Sequence, residues 1–433
     1  MTDSHKPRQD KDTRRLLAVF AVALAARLVF VAAWPTVGVG GERALFPDEE
    51  EYLAISRHLV EGEGFRDDRS RRASRAPGYP LFVAGLYSVA GRSHAAVKGA
   101  QALLGAGACV LAALLARRLF RPPAGAVCGW IAALYPFLIA YTEFLLAEAL
   151  FTLLLVAGTL LLVHPWRSTV RGGPAPEDGG AWPRAALAGL ALGAGVLVRS
   201  SLLLYPLFAG VVWVAAARRR LRAAGLAAVV AACVFAAQVP WIVRNHRVFG
   251  EFVPTTLQVG ESLYEAVGPG ADGTPRMDRI DWIEEAGGKV MGEHENNAYF
   301  RRKAMEWARA HPARTAGLAF VKLGRFWNVV PNAEEYRSPL VVAASLATYV
   351  PVMAAALLGM AVSRKRWRML ALPLTPALYY SCLHMVFVGS IRYRTPVMPM
   401  LMAFSACGAL WLIRRLRRTE PPGTPQAKEV TAT

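Results

Sequence analysis

The sequence lacks the common nucleotide-binding motifs and the zinc-protease motif. It contains no P-loop, no dinucleotide-binding glycine fingerprint and no HExxH motif, so we expect no reaction fed by a nucleotide. Its five cysteines lie in apolar runs without CxxC spacing, which argues against a zinc site or a disulfide framework. Asp10-Lys11-Asp12 has the DxD form that binds metals and nucleotide sugars, but it lies in a polar N-terminal tail. We assign it no role.

Acidic residues are scarce compared with basic ones. The chain has 50 Lys and Arg against 31 Asp and Glu, a net charge of +19, yet 54% of its 433 residues are apolar. Because about 20 apolar residues form one membrane-crossing helix, this composition predicts a polytopic membrane protein. The basic residues cluster between apolar runs, where the positive-inside rule and anionic lipid headgroups account for them. We therefore predict contact with membrane lipid and no nucleic-acid partner.

The apolar runs predict an all-α fold with about ten transmembrane helices. Arg14 and Arg15 precede the first run, which predicts a cytoplasmic N-terminus, and ten crossings return the C-terminus to the cytoplasm. A cleaved signal peptide is the alternative for the first run, but the many later spans favour a retained helix. The runs lie near residues 16–34, 95–116, 124–141, 144–163, 185–198, 201–217, 223–243, 340–362, 369–388 and 396–413.

This topology divides the chain into five parts. Two long segments fall on the outer side and mix charged, aromatic and short apolar stretches, which predicts folded structure, whereas the Gly- and Pro-rich stretch 171–180 is typical of a linker. The predicted parts are a cytoplasmic tail 1–14, an N-terminal transmembrane module 15–243 that contains the first outer loop 35–94, an extracytoplasmic loop or lid 244–339, a C-terminal transmembrane module 340–415 and a cytoplasmic tail 416–433.

The first outer loop carries the strongest chemical signal. After Pro47 and Asp48, the apolar residues Tyr52, Ile55 and Leu59 recur at helical spacing, which predicts a helix at the membrane surface. One interpretation is that Asp48 and the Glu three residues later form a capping box at the start of this helix. The other is that a carboxylate held at the interface acts as a base on a substrate that lies partly in lipid and partly in water.

A cationic motif follows in the same loop. Arg75-Ala76-Pro77-Gly78-Tyr79-Pro80 leads into about 11 apolar residues, too few to cross the bilayer, which predicts a second interfacial helix. Arg75 is a predicted phosphate ligand because a guanidinium offers a bidentate fork and keeps its charge when desolvated. Arg392 and Arg394, between the ninth and tenth helices, are predicted to bind the same phosphate, with anchoring at the interface as the alternative.

Further polar residues lie at the predicted outer ends of membrane helices, where unpaired charges are costly. For Arg27, inside the first helix, snorkelling, pairing with another helix and phosphate binding all stay open. Each of the remaining candidates for the lining of a substrate cavity also has a structural interpretation. These candidates are Tyr52, Tyr79, Glu143, Glu148, Arg199, His384 and Tyr393.

Three motifs resemble a known class of enzymes. Pro47-Asp48-Glu49-x-x-Tyr52-x-x-Ile55-Ser56 resembles the first outer loop of the bacterial lipid A aminoarabinose transferases. Arg75-x-Pro77-Gly78-Tyr79-Pro80 and Arg392-Tyr393-Arg394-x-Pro396 are similar to motifs in family 39-type bacterial relatives of the protein O-mannosyltransferases. These families belong to the GT-C class of integral membrane glycosyltransferases. The resemblance extends from about residue 14 to residue 415 in order and topology.

The resemblance implies a polyprenyl-phosphate-linked sugar as donor, inversion at the anomeric carbon, and an extracytoplasmic active site on the bacterial cytoplasmic membrane. It places Asp48 as the catalytic base and Glu49 beside it in the Asp-Glu pair. This chain has Arg75-Ala76-Pro77 where the aminoarabinose transferases have Glu-Lys-Pro, which keeps a cation but leaves the sugar and the acceptor open.

We therefore predict an inverting glycosyltransferase whose acceptor is a hydroxyl of a lipid, a glycan or a protein, with arginines that stabilise the departing phosphate. A polysaccharide polymerase or ligase, a flippase or transporter of lipid-linked sugars, and a non-catalytic assembly subunit are the alternatives. Transport is disfavoured because the sequence shows no internal repeat and its charges collect at the outer edge. We predict no cofactor. Metal dependence stays open, because Asp48, Glu49, Glu143 and Glu148 could surround a divalent cation, although no spacing indicates one. Nothing in the sequence indicates the oligomeric state.

Overall fold

The computed structural model describes residues 6–34, 46–171, 180–332 and 337–419, and within these ranges it contains helices and turns and no β-strand. Most of the predicted linker 171–180 and of the C-terminal tail lies outside the described residues. The predicted all-α fold class is confirmed.

The structure combines long apolar helices with shorter ones. In the first half of the chain they are α1 Lys6–Ala33, α2 Pro47–Val60, α3 Gly78–Ala90, α4 His94–Leu119, α5 Pro122–Leu134, α6 Pro136–Ala140, α7 Glu148–Val170, α8 Ala181–Val198, α9 Tyr205–Ala216 and α10 Arg220–Phe249. In the second half they are α11 Val259–Val267, α12 Trp282–Glu285, α13 Glu293–Ala310, α14 Pro312–Phe326, α15 Pro339–Ser363, α16 Trp367–Val386, α17 Ile391–Arg394 and α18 Met398–Thr419.

Seven helical stretches of the described chain are long and apolar enough to cross a membrane. One of them, Pro339–Val386, joins α15 to α16 through the basic 3₁₀ turn Arg364–Arg366 and so covers two predicted spans. The other six are Asp12–Ala33, His94–Leu119, Glu148–Val170, Ala181–Val198, Arg220–Phe249 and Ile391–Arg417. A polytopic membrane protein is therefore confirmed, while the number ten stays a prediction.

The two other predicted spans are shorter helices than expected. The run predicted at 124–141 is divided into α5, with 13 residues, and α6, with 5, because Pro136 has no backbone N–H and forces Tyr135 into an extended conformation. The run predicted at 201–217 forms a 3₁₀ turn and then α9, with 12 residues.

Glycine contacts fix the last helix against the bundle. A Cβ at Gly359 of α15 would lie 2.0 Å from the carbonyl oxygen of Phe404, and a Cβ at Gly408 of α18 would lie 2.1 Å from that of Ala355. The backbones of α15 and α18 therefore approach more closely than any side chain would allow, as is common in membrane helices. This packing sets the position of α17, which is joined to α18 by the 3₁₀ turn Thr395–Val397.

The two segments predicted on the outer side pack against each other. The Glu293 carboxylate accepts hydrogen bonds from the backbone N–H groups of Arg72, at 2.7 Å, and Ala73, at 2.8 Å. The Arg244 guanidinium donates to the carbonyl of Arg72, at 2.7 Å, and to that of Phe65, at 3.0 Å. The segments before α4 and after α10 thus lie at the same end of the helical bundle.

Candidate active site

A cavity of about 1420 Å³ lies where the two loop segments meet the ends of the membrane helices. One part of its wall is apolar and aromatic, with Phe30, Trp34, Phe137, Phe144, Leu340 and Phe387. Another part is polar, with Gln258, Glu261, Glu265, Asp278 and Arg279. The cavity therefore presents both a lipid-compatible and a hydrophilic surface.

Asp48 lies in the wall of this cavity at the start of α2. Pro47 occupies the first helical position, where its missing N–H costs nothing, so Asp48 is the second residue of the helix. Its carboxylate oxygens form ion pairs with Arg75 Nη2, at 2.6 Å, and with Arg392 Nη1, at 2.8 Å. Burial alone would raise the pKa of Asp48, but the charges of these arginines outweigh burial and hold that pKa well below its usual range.

Arg75 and Arg392 each bind a second carboxylate. Arg75 Nε donates to Glu51 at 2.6 Å, and Glu51 also accepts from Arg71 at 2.9 Å. On the other side, the Nε of Arg392 donates to Oε1 of Glu148. The same Glu148 oxygen accepts from Arg199 Nη1 at 2.8 Å. The pairs therefore continue away from Asp48 in both directions.

Together these residues form an alternating series of acids and arginines, which we call the ion-pair network. On the Glu51 side, Arg71 also pairs with Asp67 at 2.7 Å, and Asp67 ends the series there. Four carboxylates and four guanidinium groups balance, which is the arrangement that partly buried charges require. In order, the network is Asp67, Arg71, Glu51, Arg75, Asp48, Arg392, Glu148 and Arg199.

Sequence reasoning missed Glu51, Asp67 and Arg71 as members of the site. It also placed the capping box wrongly. The N-cap residue is Phe46, and the residue whose carboxylate returns to the N-cap N–H is Glu49, at 3.2 Å. The spacing of three residues between Asp48 and Glu51 instead puts both carboxylates on one helix face, which was the available signal.

Glu49 faces away from Asp48. It is fully buried, and its second carboxylate oxygen accepts from the backbone N–H of Leu145 at 2.9 Å. Burial raises the pKa of Glu49, and the two backbone hydrogen bonds oppose that rise only in part. Glu49 thus ties α2 to the turn before α7 and is not among the residues that line the cavity. Its predicted place in catalysis stays a prediction.

Arg394 is also directed away from the cavity. Its buried guanidinium donates to the carbonyl of Asn328 and lies 3.8 Å from the centre of the Tyr349 ring. It therefore links the turn at α17 to the end of α14 and to α15. The structure brings Arg75 and Arg392 to one carboxylate but does not bring Arg394 there, so its predicted phosphate contact is untested.

Two aromatic residues predicted in the cavity lie in different environments. Tyr52 lines the cavity and packs edge-to-face on Tyr79, with ring centroids 4.9 Å apart. Tyr79 is fully buried, and its hydroxyl donates to Gln101 at 2.8 Å. Tyr79 therefore supports Tyr52 from behind.

Other candidates for the cavity lining also differ in where they lie. Arg199, His384 and Tyr393 line the cavity, and the His384 and Tyr393 rings stack with centroids 4.6 Å apart. His384 Nδ1 donates to the carbonyl of Val388 at 2.7 Å. Glu143 is fully buried and forms an ion pair with Lys98 away from the cavity lining.

One group of described residues has the spacing of a metal site, but it lies elsewhere. The ligand atoms of His58, Glu61 and Glu63 fall within 4.8 Å of one another, and none of these residues lines the cavity. His58 already forms hydrogen bonds with Glu63, at 2.6 Å, and with Asp68, at 3.0 Å. Exposed acidic groups of this kind are common without a metal.

Comparison with known proteins relates both the sequence and the fold to glycosyltransferases. Residues 74–243 match the family model described as dolichyl-phosphate-mannose-protein mannosyltransferase, while no curated protein matches the chain in sequence. The apo oligosaccharyltransferase of Archaeoglobus fulgidus has a similar structure, with a TM-score of 0.58 and 15% identity over 93% of this chain and 52% of that one. The A. fulgidus oligosaccharyltransferase AglB, in complex with an inhibitory peptide and a dolichol-phosphate, is also similar. Its TM-score is 0.54, and it is 15% identical over 94% of this chain and 52% of that one.

These matches establish the fold. The chain spans about half the length of the archaeal enzymes and shares the GT-C architecture predicted from its motifs. ArnT from Cupriavidus metallidurans bound to undecaprenyl phosphate is 16% identical over 98% of this chain and 82% of that one, with a TM-score of 0.44, too low to support a conclusion.

Proposed function

We propose that this protein is an inverting glycosyltransferase that moves a sugar from a polyprenyl-phosphate-linked donor to an acceptor hydroxyl, on the extracytoplasmic side of a bacterial cytoplasmic membrane. The observation that carries this proposal is the position of Asp48 in the cavity wall between Arg75 and Arg392. This reaction needs a base that takes the acceptor proton and cations that stabilise the departing phosphate, and Asp48 with its two arginines could supply both. The GT-C fold adds support.

The two surfaces of the cavity suit the two ends of such a donor. The apolar wall near Phe30 and Phe387 can accept prenyl units, and the polar wall near Glu265 offers hydrogen-bond partners to sugar hydroxyls. The AglB structure contains a dolichol-phosphate and a peptide, which supports a polyprenyl phosphate in this fold. The acceptor of this chain is a lipid, glycan or protein that carries a free hydroxyl.

Donor binding exchanges one anion for another. The donor phosphodiester needs the guanidinium groups of Arg75 and Arg392, which in this structure hold Asp48. When the phosphate takes over these groups, Asp48 loses the two nearest charges that lower its pKa and becomes a stronger base. The base is therefore activated only when the donor is in place.

Transfer then requires one displacement. Asp48 takes the proton of the acceptor hydroxyl as the acceptor oxygen attacks the anomeric carbon from the side opposite the phosphate. The bond from the anomeric carbon to the phosphate oxygen breaks, and its electron pair stays on the departing polyprenyl phosphate. Arg75 and Arg392 stabilise the charge that develops there. A single displacement inverts the configuration of the sugar.

Mass spectrometry of lipid extracts and envelope glycans tests the proposal in cells that carry the wild type, Asp48→Asn or Asp278→Asn. Asp278 is a matched control because its exposed carboxylate lines the same cavity and pairs with neither Arg75 nor Arg392. We expect Asp48→Asn alone to accumulate one polyprenyl monophosphate sugar and to lose one glycan. Unchanged pools in a folded Asp48→Asn protein would contradict the proposal, and release of a polyprenyl pyrophosphate by the wild type would indicate a polymerase or ligase instead.

A further inference from the structure

Arg27 places a charge inside the first membrane helix, and no carboxylate among the residues that the structure describes pairs with it directly. It is 1% exposed, its Nη1 donates to the carbonyl of Ala23 at 2.9 Å, and its Nη2 lies 3.4 Å from the sulfur of Cys109. Its buried Nε has no hydrogen-bond partner among the described residues. A buried charge with an unsatisfied donor is costly at membrane depth, so this arrangement requires an explanation.

Glu148 has a buried acceptor atom that lacks a hydrogen-bond donor among the described residues. It is 1% exposed and begins α7. Its Oε1 accepts from both Arg199 and Arg392, whereas its buried Oε2 has no partner in the part of the chain that the structure describes. One orphaned donor and one orphaned acceptor of opposite charge therefore lie beneath the candidate active site.

Both residues line one small cavity. Its volume is about 20 Å³, and the hydroxyl residues Tyr141, Thr152 and Thr395 also border it. One water molecule needs about 10–15 Å³ and two to four polar partners. A cation there would be repelled by Arg27 and an anion by Glu148, so a neutral occupant fits both walls.

We propose that a water molecule in this cavity accepts a hydrogen bond from Arg27 Nε–H and donates one to Glu148 Oε2. The water joins Arg27 to the ion-pair network and makes it a positioning residue for Arg392. Glu148 then shares its charge among three cations, which leaves Arg392 freer to leave its pair with Asp48 for a donor phosphate. Without Arg27, Glu148 would hold Arg392 more tightly and donor binding would weaken.

The glycine pattern of α4 is consistent with this site and supplies a matched control. A Cβ at Gly105 would lie 2.6 Å from Arg27 Nε, inside the space that the side chain and the water share. Two residues further, a Cβ at Gly107 would meet only Leu153 Cδ1, at an ordinary 3.4 Å. Gly105→Ala therefore disturbs the water site, and Gly107→Ala adds the same methyl group without touching it.

A double-mutant cycle tests the coupling through the affinity of the purified full chain in nanodiscs for undecaprenyl phosphate. We expect Arg27→Met and Gly105→Ala each to weaken binding about tenfold, while Gly107→Ala stays within about twofold of the wild type. In a Glu148→Gln background, Arg27→Met should weaken binding less than about twofold, because the negative charge that Arg27 shares through the water is already absent. An undiminished tenfold effect there, or equal effects of the two glycine variants, would overturn the inference.

The affinity readout rests on the proposed function, so a second measurement is independent of it. A density map of the wild type at about 2 Å resolution should show a water peak within about 3.2 Å of both Arg27 Nε and Glu148 Oε2. No peak, or direct contact between the two side chains, would overturn the inference even if the lipid binds. If the wild type binds no undecaprenyl phosphate, the proposed function fails and the map alone decides on the water.

Discussion

Replacing Asp48 by Asn should tighten the binding of a polyprenyl phosphate while it abolishes transfer. The side chain forms ion pairs with Arg75, at 2.6 Å, and with Arg392, at 2.8 Å, and a bound phosphate must compete for both. Asparagine keeps the shape and a neutral acceptor but removes the competing charge. A residue that served only as a base would not change phosphate affinity in this direction.

The size of the gain follows from the two contacts. A hydrogen bond to a charged group contributes about 1.5–3 kcal/mol and a neutral one about 0.5–1.5 kcal/mol, so each arginine loses about 1 kcal/mol of attraction to residue 48. The Asp48 side chain is 24% exposed, and solvent screening argues for the lower part of that range. The sum of about 2 kcal/mol corresponds to a dissociation constant about 30-fold lower.

Titration of the purified protein with undecaprenyl phosphate, followed by tryptophan fluorescence or calorimetry, measures this change. Glu51→Gln loosens Arg75 and Arg71 but leaves both pairs of Asp48 in place, so it should give a smaller gain, of about threefold to tenfold. Asp278→Asn removes a charge from the same cavity without releasing either arginine, so it controls for general electrostatics. Equal affinity gains for Asp48→Asn and Asp278→Asn, or unchanged or weaker binding by Asp48→Asn, would refute the competition between Asp48 and phosphate.

Three further predictions concern other parts of the site. Arg75→Ala should raise the dissociation constant of the lipid phosphate by a factor at least ten times larger than the factor by which it raises the KM of the acceptor. Equal factors for the two substrates would count against a contact between Arg75 and the phosphate. Glu49→Gln should cost about 1–2 kcal/mol of stability, seen as a lower melting temperature, because two backbone hydrogen bonds lose their charged acceptor. The kcat of the folded variant should stay within about threefold of the wild type, whereas complete loss of kcat would support the predicted catalytic role of Glu49. Burial raises the pKa of Glu265 from 4.5 to about 7, so the stability that this group contributes is present below pH 4.5 and is lost as the pH rises through 7. Glu265→Gln should therefore be more stable to unfolding than the wild type at pH 8, by up to about 3 kcal/mol. Differential scanning fluorimetry should show a higher melting temperature for the variant at pH 8 and equal melting temperatures near pH 4.

The membrane helices could be predicted because bilayer thickness fixes the length of an apolar run, whatever the helix packs against. The predicted helix boundaries were less accurate where a proline or a turn interrupts the apolar run. Pro136 divides one run into α5 and α6, and α7 begins at Glu148, four residues later than predicted. These deviations depend on local hydrogen bonding, to which hydropathy is insensitive.

The partners of the charged residues could be predicted only in part. Asp48 and Arg75 stood out in motifs of the first outer loop, and Arg392 stood out between the ninth and tenth predicted helices. Their meeting depends on how α2, α17 and the segment before α3 pack. Neighbouring residues of the same type then diverged. Glu49, one position from Asp48, is rotated by about 100° on the helix and faces Leu145. Arg394 belongs to a helix of four residues, too short for any periodicity to show which way it faces.

Charge balance in the site connects the inferred water to the proposed reaction. The ion-pair network is neutral, and Arg27 linked through the water adds one positive charge, which matches the single negative charge of a donor phosphodiester. During transfer Asp48 gains a proton as the phosphate becomes a monoester with a charge of about −1.5 to −2, so nearly all the charge stays compensated within the cavity. Asp48 must then lose that proton and return to Arg75 and Arg392. Its return displaces the monoester, so the pairs that hold Asp48 in the resting structure also favour release of the product.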